Sequence, residues 1–381
     1  MEELKTLSGI NMYKLVASSL LLLTAAFAVQ HCSCQTVHFD CPKLPPLPPA
    51  RTVHELRPQD IRVVMALGDS VTAGFGMMGR HGNIIEDLQE YRGMSWSIGM
   101  DDDAQTVPNF LKNYRDDLIG GSLGHHLGEL CYDIVCPPFQ YKPDKDVLNA
   151  AQSGAMIPNL VTHEWRYMLE QLKEHKEIDM DNDWKVLTLF IGANDLCLAC
   201  SEIVPTLTPD DFEKHLRETL DEVMKIPRVF VNLVLTGNIS GIYTLSLKNK
   251  HCTEVHRLLP IECACAFLGG STPEGVKLRE DLDKTAMAFN DRMNKVAADY
   301  VGIKDDFAVV IQPFFSGTDP SNFTIDFLSD LDCFHPSLLA HQHMAKGLWN
   351  NMLTPAAQKK TSLVWTDPFV CPTNNTLLYT N

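Results

Sequence analysis

Four short apolar runs punctuate the chain: Ile61 to Leu67, Val186 to Ile191, Val229 to Leu235 and Phe307 to Ile311. Each is near-continuously apolar and rich in Val, Ile or Phe instead of alternating, the pattern of strands covered on both faces in a parallel sheet. Helical stretches separate and follow them. Residues 158–173 open on a proline, Pro209 to Lys225 follows Thr208 as N-cap, and Thr272 to Tyr300 has Thr272 as cap with Pro273 at its first position. A last helix is predicted from near Ser337 to about Leu353. The alternation predicts an α/β fold, a mainly parallel sheet with helices on both faces, whose function gathers at the carboxyl ends of the strands.

The amino-terminal region changes the picture of where the chain works. Residues 15–29 form an apolar run after Lys14 and contain Ala26-Phe27-Ala28, the pattern of a secretory leader spanning 1–34 with cleavage between 28 and 35. A secreted, extracellular protein is expected, and its twelve cysteines should be mostly disulfide-bonded, with pairing left open. Cys197, Cys200, Cys263 and Cys265 do not reproduce the spacing of a four-cysteine zinc site. The proline-rich stretch within 35–53 reads as a stiff linker, 54–353 as the folded domain and 354–381 as a tail packing on it. The tail's apolar stretch is too short for a membrane span or a lipid-anchor signal, so no transmembrane anchor is expected in the mature chain. Sequons at Asn238, Asn322 and Asn374 are glycosylation candidates. A net charge of −16 argues against nucleic acid as a partner and leaves neutral or zwitterionic lipid open.

The residues that could carry chemistry fall in four places. Gly68-Asp69-Ser70 stands where the first strand ends, with Gly68 permitting a tight turn and Ser70 emerging at the rim. Asp332-Cys333-Phe334-His335 spaces a carboxylate and an imidazole by one helical turn, so the acid can orient the base that a serine hydroxyl needs. Asn149-Ala-Ala-Gln-Ser-Gly154 offers a backbone amide at a glycine, and Phe190-Ile-Gly-Ala-Asn194 a side-chain amide at a strand end, both suited to a developing oxyanion. A rival serine, Ser122 in Gly120-Gly121-Ser122-Leu123-Gly124, lacks the buried strand that such an elbow requires. His125, His126, His341 and His343 read as surface residues, because residues two apart do not share a helix face and no carboxylate cluster completes a metal site.

Ser70, Gly154, Asn194 and His335, with Asp332, fall in the order and contexts of the four blocks that name the GDSL/SGNH hydrolase superfamily. Tyr91-Arg-Gly-Met-Ser-Trp96, Asp183-Trp-Lys-Val186, Pro227-Arg-Val-Phe230 and Leu348-Trp-Asn-Asn-Met352 further resemble segments of the animal phospholipase B family, over roughly residues 55 to 372. That resemblance implies a three-layer α/β/α sandwich with a flavodoxin-like, five-stranded sheet. It implies catalytic Ser70, Asp332 and His335, an oxyanion hole of Ser70, Gly154 and Asn194, and acyl transfer without cofactor or metal. The substrate class it implies is phospholipid and lysophospholipid esters at a membrane, micelle or lipoprotein surface. A short-chain or carbohydrate acetyl-esterase on the same fold, and an inactive lipid-binding protein, are the competing expectations. Ala193 departs from the family's usual glycine at that position, which removes no donor.

Overall fold

The computed structural model describes residues 37–380 except 80–83, 129, 130, 132–140, 201–206 and 259–261. The predicted leader and its cleavage site lie outside the described residues. The sheet has four parallel strands in the order of the chain: β1 Ile61–Gly68, β2 Trp184–Phe190, β3 Val229–Val234 and β4 Phe307–Gln312. Five were expected. On the free side of β1, the fifth place is filled by two short extended pieces. Ile119 exchanges hydrogen bonds with Arg62 and Val64, while Leu148 and Ala150 bond Ala66 and the Gln152 amide donates to Gly68.

The strands are apolar throughout because both faces are covered. Val63, Met65, Leu67, Leu187 and Val231 face one layer, which contains α1 Trp165–Glu174, α2 Pro209–Val223 and α3 Pro273–Asp299. Val64, Ala66, Val186 and Phe230 face the other, which contains α4 Leu338–Met352 and the short helix Val107–Lys112. Burial on both sides is the physical source of the near-continuous apolar pattern. β2 begins at Trp184, two residues before its apolar run, because the buried Lys185 ends its side chain on the Met180, Asp183 and Pro227 carbonyls. The helix predicted over 158–173 is interrupted: a π-type turn, Leu160–Glu164, separates Ile157–Asn159 from α1.

Two expectations are corrected. His341 and His343 are buried: the Trp96 amide donates to His341 Nδ1, and the His343 ring packs against Phe327, while residues 360–370 bond other side chains of α4. Trp349 Nε1 donates to Val370 O, Lys346 Nζ to Trp365 O and Asn351 Nδ2 to Lys360 O. Just before the proline-rich stretch, Phe39 stacks on Phe110 and meets Trp349 and Phe369 edge-on, and Cys41 is bridged to Cys371. His126 is likewise buried, with Nε2 2.9 Å from Asp146, whereas His125 is exposed.

Candidate active site

The chain turns sharply at the end of β1. Gly68 is required there: a Cβ would come within 2.4 Å of the Phe190 carbonyl oxygen and 2.7 Å of Thr72 Oγ1. Asp69 caps the four-residue helix Ser70–Ala73 by accepting from the Val71 amide, which sets Ser70 at the rim with its hydroxyl facing a loop from the far side of the sheet. Beneath it lies an acidic residue absent from the sequence reading. Glu164 is fully buried and accepts the Gly68 amide at 2.8 Å. Burial raises its carboxyl well above the ordinary range, and burial also raises Asp69 to about 6, against the opposing pull of the Val71 amide and His335.

The loop from the far side carries the imidazole. His335 Nε2 is 2.7 Å from Ser70 Oγ, and its Nδ1 is 2.5 Å from Asp332 Oδ2. Asp332 Oδ1 accepts from the Phe334 and His335 amides, so the three-residue spacing closes an Asx-type turn and not the helical turn that was expected. Cys333, inside that turn, has a φ of +54° and is bridged to Cys252. Burial pulls the His335 imidazole down, but the charge and hydrogen bond of Asp332, with the charges of Glu262 and Asp69, outweigh it and raise the group to about 9. Asp332 is held below its ordinary value, since the His335 charge and the amide donors overcome its burial. With Ser70 Oγ–H donating to Nε2 and Nδ1–H donating to Asp332, the three side chains form one continuous proton path.

The two amide blocks meet beside Ser70. Asn194 opens the helix Ala193–Leu198 just past β2, and its Nδ2 donates to Ala155 O at 2.9 Å. The Gln152 amide is tied to Gly68 O and the Ile157 amide to the Asp195 carboxylate, which fixes Gly154, at φ +83°, between the ends of β1 and β2. Residues 149–153 are further braced by a fully buried guanidinium. Arg92 pairs with Glu90 and Asp146 and donates to the Asn149 and Ala151 carbonyls, while Ser153 Oγ donates to Glu90. The sequence offered only one hint of this brace, Arg92 inside a segment resembling the family. Ser122 is buried, and its hydroxyl donates to Arg92 O, which makes it part of the brace.

Ser70 and Asn194 open on a cavity of about 150 Å³, walled by apolar side chains that include Phe190, Ile242, Leu245, Phe315, Phe327 and Met344. Of the glycosylation candidates, Asn238 lines this cavity, whereas Asn322 and Asn374 are exposed. Among the described residues, one group, Glu262, Asp332 and His335, brings three possible metal-binding atoms within 4.8 Å of one another. Asp332 and His335 already spend those atoms on each other and on Ser70, so the group reads as acids around an imidazole. Cys197–Cys263 and Cys200–Cys265 are disulfides.

The chain is 34% identical over 337 residues to "Phospholipase B1, membrane-associated" of Homo sapiens, covering 84% of this chain and 21% of that protein. The mouse protein of the same name is 32% identical over 347 residues, covering 88% and 22%. The chain thus spans about a fifth of the length of these curated relatives. Among solved structures, a Clostridium thermocellum family 3 carbohydrate esterase overlaps with a TM-score of 0.36 at 16% identity, covering 76% of this chain and 93% of that one, a likeness too loose to bear on a substrate. The model of the GDSL-like Lipase/Acylhydrolase family matches residues 64–348, most of the chain and every block described above, and the chain belongs to that family.

Proposed function

We propose that this chain is a secreted carboxylic ester hydrolase that frees fatty acid from phospholipids and lysophospholipids, with Ser70 as nucleophile. His335 takes the Ser70 proton on Nε2 as Oγ bonds the ester carbonyl carbon, and the carbonyl electron pair moves to oxygen. The amides of Ser70 and Gly154 and the Asn194 side chain receive that charge. Collapse breaks the ester C–O bond, and His335 returns its proton to the leaving alcohol. Water then repeats the sequence on the acyl-enzyme and releases the acid. No step calls on a metal ion or cofactor.

The observation that carries this reading is the 2.7 Å Ser70–His335 contact at the mouth of an apolar cavity. Its walls are apolar, so an acetyl group gains little from them, whereas a long acyl chain removes apolar surface from water along them, at about 25 cal/mol per Å². The relatives named for phospholipase B1 support the same alcohol class. Among the described residues no helix is long and apolar enough to cross a membrane, and we place the mature chain outside the cell, meeting lipid at a membrane, micelle or lipoprotein surface. The deciding assay compares phosphatidylcholine, lysophospholipid, triacylglycerol and acetylated sugar at equal ester concentration, by mass spectrometry, with Ser70→Ala as blank and with chelator. Fatty acid should appear from both phospholipids at a rate that chelator leaves unchanged. Fast hydrolysis of the sugar ester alone would replace this reading with an acetyl-esterase.

A further inference from the structure

Residues 250–258 and 262–267 reach the site by covalent fastening, and they bring an acid with them. Cys252, on the helix Lys250–Leu258, is bridged to Cys333 inside the Asp332–His335 turn. His256, one helical turn further on, places Nε2 2.8 Å from the Asp332 carbonyl oxygen. Glu262 then directly precedes Cys263, whose bridge to Cys197 ties it to the helix that opens with Ala193 and Asn194. The two bridges set the Glu262 carboxylate within 4.8 Å of both the Asp332 carboxylate and the His335 ring. We propose that Glu262 is a positioning residue for the reaction proposed above: its charge holds the imidazolium that His335 becomes on taking the Ser70 proton, and thereby sets the basicity of that imidazole.

The groups that face His335 explain why one more acid matters. Asp332 meets Nδ1, Glu262 comes from the 262–267 segment, and Asp69 comes from the turn after β1, so the charged neighbours are three acids. The two histidines nearby do not offset them. Burial holds His341, behind on α4, neutral with a value near 3, and burial likewise lowers His256. Glu262 is partly buried, and its carboxyl is raised by that burial and by Asp332 but lowered by His335, so the imidazolium is what favours its charge. A carboxylate in this place attracts imidazolium and is nearly indifferent to neutral imidazole. It therefore lowers the charge-separated transition state more than the resting state, and it raises the pH at which His335 becomes available as a base.

The test is the pH profile of kcat/KM for the secreted full chain on lysophospholipid. Activity rises with pH as His335 loses its proton, so removing a neighbouring negative charge must move that rise to lower pH. Glu262→Gln should move it down by roughly one pH unit, with kcat on the plateau falling only a few-fold and the melting temperature little changed. Glu262→Asp, which keeps the charge but draws it back, should fall between parent and Gln, and it serves alone if the Gln variant fails to fold. The order parent, Asp, Gln in the midpoint of the rise supports the proposal. Midpoints that coincide with the parent overturn it, as does loss of kcat with no movement of the profile. Ser70→Ala run in parallel separates the two levels: if it retains turnover, the Ser70 reading fails, and if it is inactive while Glu262 variants keep the parent profile, only the role of Glu262 fails.

Discussion

Ser70 and Asn194 emerge just past the ends of β1 and β2, whereas Asp332 and His335 sit in a stretch without regular structure between β4 and α4. The first pair inherits its position from a hydrogen-bonded sheet buried on both faces, reinforced by the Gln152–Gly68 and Asn194–Ala155 bonds. The second is held by bonds within its own loop, among them Ser329 N to His335 O and Cys333 N to Ser329 O, and in addition by ties from outside it. The Cys252–Cys333 bridge, the His256 contact to Asp332 O and the His251 contact to Asp330 O all come from one helix that belongs to neither sheet layer. The proposed nucleophile is thus positioned by the core of the fold, and the proposed base by its own turn and by cross-links added to it. Damage to chemistry and damage to placement should therefore separate along this line.

The largest effect is expected where no geometry changes. Ser70→Ala should remove turnover by on the order of 10⁴-fold or more with an unchanged melting temperature, since the hydroxyl contributes a reacting atom and almost no packing. Retained turnover there would dissolve the comparison at its root. On the base side, Asp332→Asn should cost roughly 10⁴-fold in kcat through the wrong tautomer and the lost charge. It should leave the turn standing, because asparagine keeps an Oδ1 that accepts the Phe334 and His335 amides, whereas Asp332→Ala should also weaken the turn. A drop in melting temperature with Asp332→Ala, absent with Ser70→Ala, is the signature that sharpens the contrast. Asn194→Ala should lower kcat by roughly 100- to 1000-fold with little change in KM, as expected of a donor to a charge that develops only in the transition state. An effect confined to KM would move Asn194 from stabilising charge to binding substrate.

The same division decides what could be read from the sequence. Strands buried on both faces announce themselves as runs of Val, Ile and Leu, so β1, β3 and β4 were placed to within a residue, and Ser70 and Asn194 with them. The Asp332–His335 spacing was legible as a pair but not as an Asx-type turn, because its shape depends on a left-handed Cys333 whose partner lies 81 residues away. Glu164, Glu262 and the Arg92 brace carry no local pattern, since each is significant only through residues distant in sequence. His341 and His343 were misread for a related reason. His341 packs on the Trp96 amide and His343 on the Phe327 ring, and no periodicity within α4 reveals a cover supplied from elsewhere.

The smallest expected effect on turnover, and the closest test of the comparison, comes from two disulfides. Cys41–Cys371 joins the ends of the described chain across 330 residues and touches nothing at the site, whereas Cys252–Cys333 lies inside the turn between Asp332 and His335. Either bridge restrains the unfolded chain, and replacing either pair by alanine should cost roughly 2 to 5 kcal/mol of stability. Their effects on kcat should differ. Cys333 holds a φ of +54°, a conformation that costs a residue with a Cβ roughly 1 to 2 kcal/mol, and the bridge keeps it there together with its amide's bond to Ser329 O. Without it the turn can relax and His335 can drift from Ser70, and a displacement of an ångström can cost up to roughly 100-fold. At a temperature where both variants are fully folded, Cys41→Ala/Cys371→Ala should keep the parent kcat, while Cys252→Ala/Cys333→Ala loses much of it. Cys252→Ala/Cys333→Gly is the deciding third variant, because glycine accepts the left-handed conformation without cost and should recover part of the rate without the bridge. Equal losses in kcat from both alanine pairs, or no recovery with glycine, would mean that the base side is positioned by the fold as a whole and that the division between the two halves of the site is wrong.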